Sequence, residues 1–140
     1  MNTNQLGSAS ELMVAAKLTE LGYDIFFPLT GKTNVDLIAS KGDRLLRISV
    51  KSTNTPRRNG TCYHINIGRT RHNTSEIKRF DFDKSSCDVL AIYIADLKAV
   101  CFMNPLTMSN TSSITIRKYE RSRHAPVKNY TVSELSNIDW

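Results

Sequence analysis

The sequence has few cysteines and no long hydrophobic run. Three cysteines occur among 140 residues, and none of them has CxxC spacing. We expect buried thiols in a reducing compartment rather than a disulfide or a zinc site. The longest apolar stretch is interrupted by Lys17 and no signal-peptide pattern opens the chain, which predicts a soluble, cytoplasmic protein without a membrane partner.

Acidic residues are also scarce relative to basic ones. There are 13 Asp and Glu against 19 Lys and Arg, a formal net charge of +6. This excess fits a partner made of phosphates, and a solvated basic surface fits it equally well. The three histidines are isolated from one another, so no histidine-based metal cluster is predicted. The length and ordinary globular composition predict a single domain over residues 1–140.

The order of the predicted elements indicates an α/β domain with a mixed β-sheet flanked by helices. An Ala- and Leu-rich helix ends at Gly22, and a hairpin with a Gly-Asp turn follows. The most apolar segment, "CDVLAIYIA", predicts a central strand covered on both faces. The remaining predictions are strands over 23–28, 61–68, 99–105 and 112–120, a polar loop over 53–60, and a short helix over 75–82.

The hairpin "VDLIASKGDRLLRISVKS" carries polar groups at one end. If its turn spans residues 41–44, strand pairing brings Asp36 close to Ser49 and Lys51, which share one face of their strand. One interpretation is a plain cross-strand ion pair between Asp36 and Lys51, a contact that contributes about 0.2–1 kcal/mol.

The first helix places another carboxylate on an apolar stripe. Glu11 shares a helix face with Val14 and Leu18, and a buried charge there needs compensation, which a metal ion supplies. Alternatively, "SASE" is a capping box with Ser8 as N-cap and Glu11 as its partner. A longer helix capped by Asn4 is the competing arrangement.

These residues carry a family resemblance. "GSASE" on a first helix, then "VD", then a hairpin that ends in "SVK", resembles the PD-(D/E)XK nuclease superfamily, which implies a restriction-endonuclease-like core. The later "CDVLAIYIADLKAVCFMNP" is similar to the branch that holds group I intron-encoded homing endonucleases. Archaeal-type Holliday junction resolvases resemble the same N-terminal third.

The resemblance implies a catalytic role for four residues. Glu11 corresponds to the first-helix acid that helps hold a metal, and Asp36 to the principal ligand of Mg²⁺ or Mn²⁺, with the Val50 carbonyl completing the shell. Lys51 corresponds to the lysine that orients the attacking water and offsets phosphate charge.

Ser49 departs from the family pattern, because the family usually has Glu, Asp or Gln at this position. Three explanations are open. The site runs on one metal with Ser49 ordering a water; a neighbour such as Gln5 supplies the missing oxygen; or the chain survives as a weakened, DNA-binding module.

Basic residues gather after the hairpin, in the middle of the chain and near its end, where we expect contacts with double-stranded DNA. The predicted DNA-binding residues are Arg57, Arg58, Arg69, Arg71, Arg117, Arg121 and Arg123. Because cutting both strands generally requires two active sites, we expect a homo-oligomer, a dimer or tetramer. The sequence thus predicts a metal-dependent DNA endonuclease of the homing type, with a Holliday junction resolvase or a silent nucleic-acid-binding domain as alternatives.

Overall fold

The computed structural model describes residues 1–31, 33–119, 130, 131 and 138. It opens with helix α1 (Thr3–Glu20), which ends close to Gly22 as predicted. Gly22 has a φ of +87°, a left-handed conformation that glycine adopts without steric cost. None of the described helices is both long and apolar enough to cross a membrane.

Eleven strands follow α1 in the described part of the chain. They are β1 (Asp24–Phe26), β2 (Leu37–Lys41), β3 (Arg44–Thr53), β4 (Pro56–Arg57), β5 (Cys62–Asn66), β6 (Arg69–His72), β7 (Ile77–Phe80), β8 (Val89–Ile94), β9 (Ala99–Met103), β10 (Ser113–Arg117) and β11 (Tyr130–Thr131). Short 3₁₀ turns at Ala95–Leu97 and Pro105–Thr107 lie on either side of β9.

The first sheet has the strand order β1-β2-β3-β8-β9. The β3–β8 pair is parallel and the other pairs are antiparallel, so the predicted mixed sheet is confirmed. The β2–β3 hairpin runs from the pair Leu37–Ile48 to the pair Lys41–Arg44. This register confirms the predicted turn, in which Gly42 takes a φ of +59°.

A second sheet has the order β11-β10-β5-β4. It includes β4 within the segment predicted to be a plain polar loop, and the turn at 58–60 joins β4 to β5. β5 pairs with β10 across some fifty residues of sequence, a contact that no local pattern indicates.

The predicted short helix over 75–82 is wrong. The segment contains β7, which pairs with β6 in a two-stranded antiparallel sheet. An isolated helix of this length is marginal in water because few hydrogen bonds offset its nucleation cost. Pairing with β6 satisfies the backbone groups of both segments, so the hairpin forms instead.

β8 lies at the centre of the fold, and all six of its residues are buried. Val89 and Ala91 pack with Val14 and Leu18 of α1. The alternate residues, including Ile92, pack against the second sheet. The predicted central, doubly covered strand is therefore confirmed, with α1 on one face and the second sheet on the other. All three cysteines are buried and unpaired.

Candidate active site

Asp36 immediately precedes β2 and extends the hairpin pairing by one residue. Its N–H donates to the Ile48 carbonyl at 2.9 Å. Its carboxylate reaches back to β3, where Oδ2 accepts the Val50 N–H at 2.6 Å and lies 3.4 Å from the donating Ser49 hydroxyl. The local fold thus fixes one carboxylate at the end of the hairpin.

Lys51 lies on β3 two residues after Ser49, so the two side chains leave the strand on the same face. Lys51 is half-buried beside Ile92 of β8. Among the residues that the structure describes, no ion pair joins Lys51 to Asp36. The interpretation of this end of the hairpin as a plain cross-strand ion pair is therefore wrong.

Glu11 is half-buried on α1 and is not the capping residue considered above. The N-cap is Asn2, whose side chain accepts the Gln5 N–H, while the Gln5 side chain accepts the Asn2 N–H. The capping box of Ser8 with Glu11 is therefore wrong, and so is a cap at Asn4. The helix is longer than either alternative, which releases the Glu11 carboxylate from a capping role.

The carboxylates of Glu11 and Asp36 are close enough to influence each other. Burial is the main cause that raises the pKa of Glu11 above its ordinary value of 4.5, and the negative charge of Asp36 raises the pKa further. Burial disfavours the ionised form, and a like charge adds to this cost. A cation placed between the two groups would relieve both effects.

The donor set suits a hard cation. Two carboxylates face one region, and the Val50 carbonyl points to the same side of β3 as the Val50 N–H that binds Asp36. Mg²⁺ is commonly bound through one or two carboxylates with several retained waters. No group of three or more His, Cys, Asp or Glu side chains with metal-binding geometry occurs within the described ranges. The two carboxylates and the Val50 carbonyl offer oxygen donors only, so a cation held by them would keep several waters as ligands.

Ser49 fills the place where the family pattern has a longer polar residue. Its side chain is buried, at 6% exposure, and its hydroxyl donates to Asp36. Gln5 does not substitute for a missing ligand here. Its side-chain oxygen is occupied in the capping box, and six helical residues, about 9 Å of axial rise, separate it from Glu11.

Three of the predicted DNA-binding arginines lie on or beside the second sheet. Arg57 and Arg117 are the cross-strand neighbours of Cys62 on its two sides, so the three residues share a face. Arg57 and Arg58 line a concavity of about 570 Å³ with Cys62, His64 and Thr115. These positions form a basic surface on the side of this sheet that faces away from β8.

Arg69 and Arg71 lie on β6, which is exposed along its whole length. The Arg69 guanidinium donates to the Asn34 side chain, two residues before Asp36, which brings the β6–β7 hairpin close to the candidate site. Sequence reasoning missed both this contact and the hairpin, although the polar segment "HNTSE" between two short runs was the available turn signal. Arg121 and Arg123 lie outside the described residues.

Comparison with known proteins agrees with this arrangement. A family model described as PD-(D/E)XK endonuclease matches residues 1–133. Protein 5.3 of Escherichia phage T7 is 34% identical over 85 residues, which make up 59% of this chain and 70% of that protein. The structure of a bacterial homing endonuclease, I-Ssp6803I, matches with a TM-score of 0.79 and 21% identity, over 90% of this chain and 85% of that chain. At this identity the structural likeness shows the fold, and it confirms the predicted restriction-endonuclease-like core.

Proposed function

Because the chain belongs to the PD-(D/E)XK endonuclease family, we propose that it is a divalent-metal-dependent DNA endonuclease of the homing type, acting as a single nuclease domain over residues 1–140. The observation that carries the proposal is the anchored Asp36 carboxylate. It is fixed by the Val50 N–H at 2.6 Å, and its charge adds to the burial that raises the pKa of Glu11. A helix and a hairpin thereby bring two carboxylates together at the strand that carries Lys51.

Each residue has a role in phosphodiester hydrolysis. Glu11, Asp36 and the Val50 carbonyl would hold Mg²⁺ or Mn²⁺, which would supply a Lewis acid that favours ionisation of water. Lys51 orients the attacking water and offsets the negative charge that develops on the phosphate. The Ser49 hydroxyl holds Asp36 in its orientation through the hydrogen bond between them.

The substrate of the proposed enzyme is double-stranded DNA. Arginine side chains at phosphates supply affinity that falls steeply with salt. We assign this role to the basic surface beside the second sheet, to β6, and to two residues outside the described part of the chain; the residues are Arg57, Arg58, Arg117, Arg69, Arg71, Arg121 and Arg123. Affinity that is indifferent to salt would count against phosphate contact.

The proposed enzyme acts as a homo-oligomer, a dimer or tetramer, so that two active sites reach the two strands. Large apolar side chains are exposed at and after β1, including Phe26 at 58% and Phe27 at 49%. Neighbouring exposed apolar side chains that form one continuous patch mark a surface for protein contacts. Sedimentation equilibrium measures the subunit number, and a monomer at all concentrations contradicts this part of the proposal.

A nicking assay tests the catalytic assignment. Supercoiled plasmid is incubated with Mg²⁺ or Mn²⁺ and the wild-type protein, Asp36→Ala or Lys51→Ala. Asp43→Asn, at the exposed turn of the same hairpin, is the matched control. We expect nicking by wild type and the control only, and equal nicking by all four proteins refutes the assigned site. A four-way junction assayed beside linear duplex of the same sequence separates a resolvase from a homing enzyme.

Ser49 favours a second candidate, a catalytically silent nucleic-acid-binding domain. The buried serine leaves the site with two carboxylates where the family pattern has three polar ligand positions. This candidate predicts salt-sensitive DNA binding without cleavage in either metal. Cleavage by the wild-type protein that depends on Asp36 excludes it.

A further inference from the structure

The β6–β7 hairpin, residues 69–80, is a basic two-stranded ribbon whose strands are fully exposed. All eight strand residues are exposed, and the ribbon is closed by the Asn73 N–H, which donates to the Glu76 carbonyl at 3.0 Å. Its strands carry four Lys and Arg residues against a single acid, Glu76, in the turn. An exposed ribbon of this charge complements a polyanion.

The register of the ribbon sorts its side chains onto two faces. Directly opposed residues of an antiparallel pair share a face, and the face alternates along each strand. The pairs Arg69–Phe80 and Arg71–Lys78 form what we call the inner face. The pairs Thr70–Arg79 and His72–Ile77 form the outer face.

The inner face carries Arg69 and Arg71, to which phosphate contacts are assigned above, and it also contacts the rest of the protein. Arg69 donates to Asn34, Arg71 lies over the Phe80 ring at 5.8 Å, and Lys78 pairs with Glu76 at 3.2 Å. This face lines a concavity of about 260 Å³ with residues 81–83, so it is turned toward the body of the molecule.

The outer face is available. Arg79 has no hydrogen bond or ion pair with any residue in the described ranges, and the Ile77 side chain is 62% exposed. Neither residue lines the inner concavity. A cation, a hydroxyl, an imidazole and an aliphatic side chain are therefore presented together to solvent.

We propose that the ribbon enters the major groove of the target duplex and that its outer face reads base edges, with Arg79 selecting guanine. This inference rests on the DNA-directed function proposed above. The major groove, about 12 Å wide, admits a two-stranded ribbon whose strands are about 4.8 Å apart. An arginine forms a bidentate contact with guanine O6 and N7, and a methyl-bearing side chain contacts the thymine methyl.

The geometry fixes the spacing of the contacts. The Thr70–Arg79 and His72–Ile77 pairs are two residues apart along the strands, a separation of about 7 Å. Base pairs rise about 3.4 Å each. Arg79 and the His72–Ile77 pair therefore read positions about two base pairs apart.

The experiment selects bound duplexes from a randomised library. The 140-residue chain carries Asp36→Asn to prevent cleavage and is compared with Arg79→Lys and Lys78→Arg in the same background. Arg79→Lys keeps the charge but removes the bidentate fork. Lys78→Arg is the converse exchange at the adjacent, inner-face position. Circular dichroism checks that all three fold alike.

We expect a guanine preference at one position, and we expect Arg79→Lys to weaken it about 5- to 150-fold. The salt dependence of binding should not change, because the charge is kept. Lys78→Arg keeps the base preference. An unchanged preference in Arg79→Lys, or no enriched sequence at all, overturns the inference. Plasmid nicking by the protein with native Asp36 is measured separately. If that protein does not nick plasmid but the guanine preference depends on Arg79, the nuclease proposal is overturned and the assignment of the ribbon to base contacts remains.

Discussion

Replacing Asp36 by alanine or by asparagine separates its structural role from its catalytic one. The carboxylate accepts a part-buried backbone N–H from Val50 at 2.6 Å. Alanine leaves that donor without its partner, which costs about 1–3 kcal/mol of unfolding free energy. Asparagine keeps an oxygen acceptor in nearly the same place. It also removes the negative charge that raises the pKa of Glu11, so we expect its stability to equal or exceed that of wild type at pH 7.

Binding of Mg²⁺ makes a second, independent contribution to the free energy of unfolding. A ligand that binds only the folded state, present at a free concentration ten times its dissociation constant, raises the free energy of unfolding by about 1.4 kcal/mol. We expect Mg²⁺ to stabilise wild type by about this amount and to leave both Asp36 variants nearly unaffected. Both variants lose cleavage.

The assay is urea unfolding followed by circular dichroism at pH 7, with and without Mg²⁺, with the slopes compared to check that the unfolded states are alike. If Asp36→Ala is as stable as Asp36→Asn, the side chain does not satisfy the Val50 N–H. If Asp36→Asn gains as much from Mg²⁺ as wild type does, the metal is held elsewhere.

Three further predictions concern neighbouring positions. Because the pKa of Glu11 is raised in the folded protein, its contribution to stability is complete below pH 4.5 and is lost as the pH rises through the folded-state pKa. At pH values above the folded-state pKa, metal-free Glu11→Gln should therefore unfold at a higher temperature than wild type. Equal melting temperatures at pH 7 would contradict the burial of this charge. Gly68→Ala places a Cβ at 2.8 Å from the Phe80 carbonyl oxygen. In denaturant melts it should lower the free energy of unfolding by about 1–3 kcal/mol, and it should reduce the sequence preference of DNA binding. Gly31→Ala, with open space around its Cβ, should change neither quantity. Ser49→Glu adds a third carboxylate, so calorimetric titration should show tighter Mg²⁺ binding; unchanged affinity would place Ser49 outside the metal's reach.

Local patterns in the sequence were sufficient for much of the first sheet. The hairpin was predicted because aliphatic runs flank a Gly-Asp turn, and the turn sets the register that brings Asp36 beside Ser49. β8 was recognisable because a strand buried on both faces is apolar at every position. The helix was placed by its composition and its stop at Gly22, while its start was misjudged because two other residues offered plausible caps.

The ribbon shows where such patterns fail. Residues 77–80 alternate between the two faces of β7, but four residues are too few to distinguish a strand from a helical turn. The deciding factor was a partner strand five residues earlier, which supplies backbone hydrogen bonds that a short helix cannot match. The shared faces of Arg57, Cys62 and Arg117 depend in the same way on pairing with distant strands.

The sequence by itself determined which residue types were available for chemistry and the local hairpin that aligns Asp36 with β3, because turn and strand preferences act over a few neighbouring residues. Only the tertiary structure decided that Glu11 comes close enough for the charge of Asp36 to add to the burial that raises its pKa. It also decided that Asp36 accepts a backbone N–H instead of pairing with Lys51. In the ribbon, it decided that Arg79 faces outward while Arg69 and Arg71 face inward. These outcomes depend on packing between segments far apart in the chain, where burial and hydrogen-bond satisfaction select one arrangement from several that local preferences allow equally.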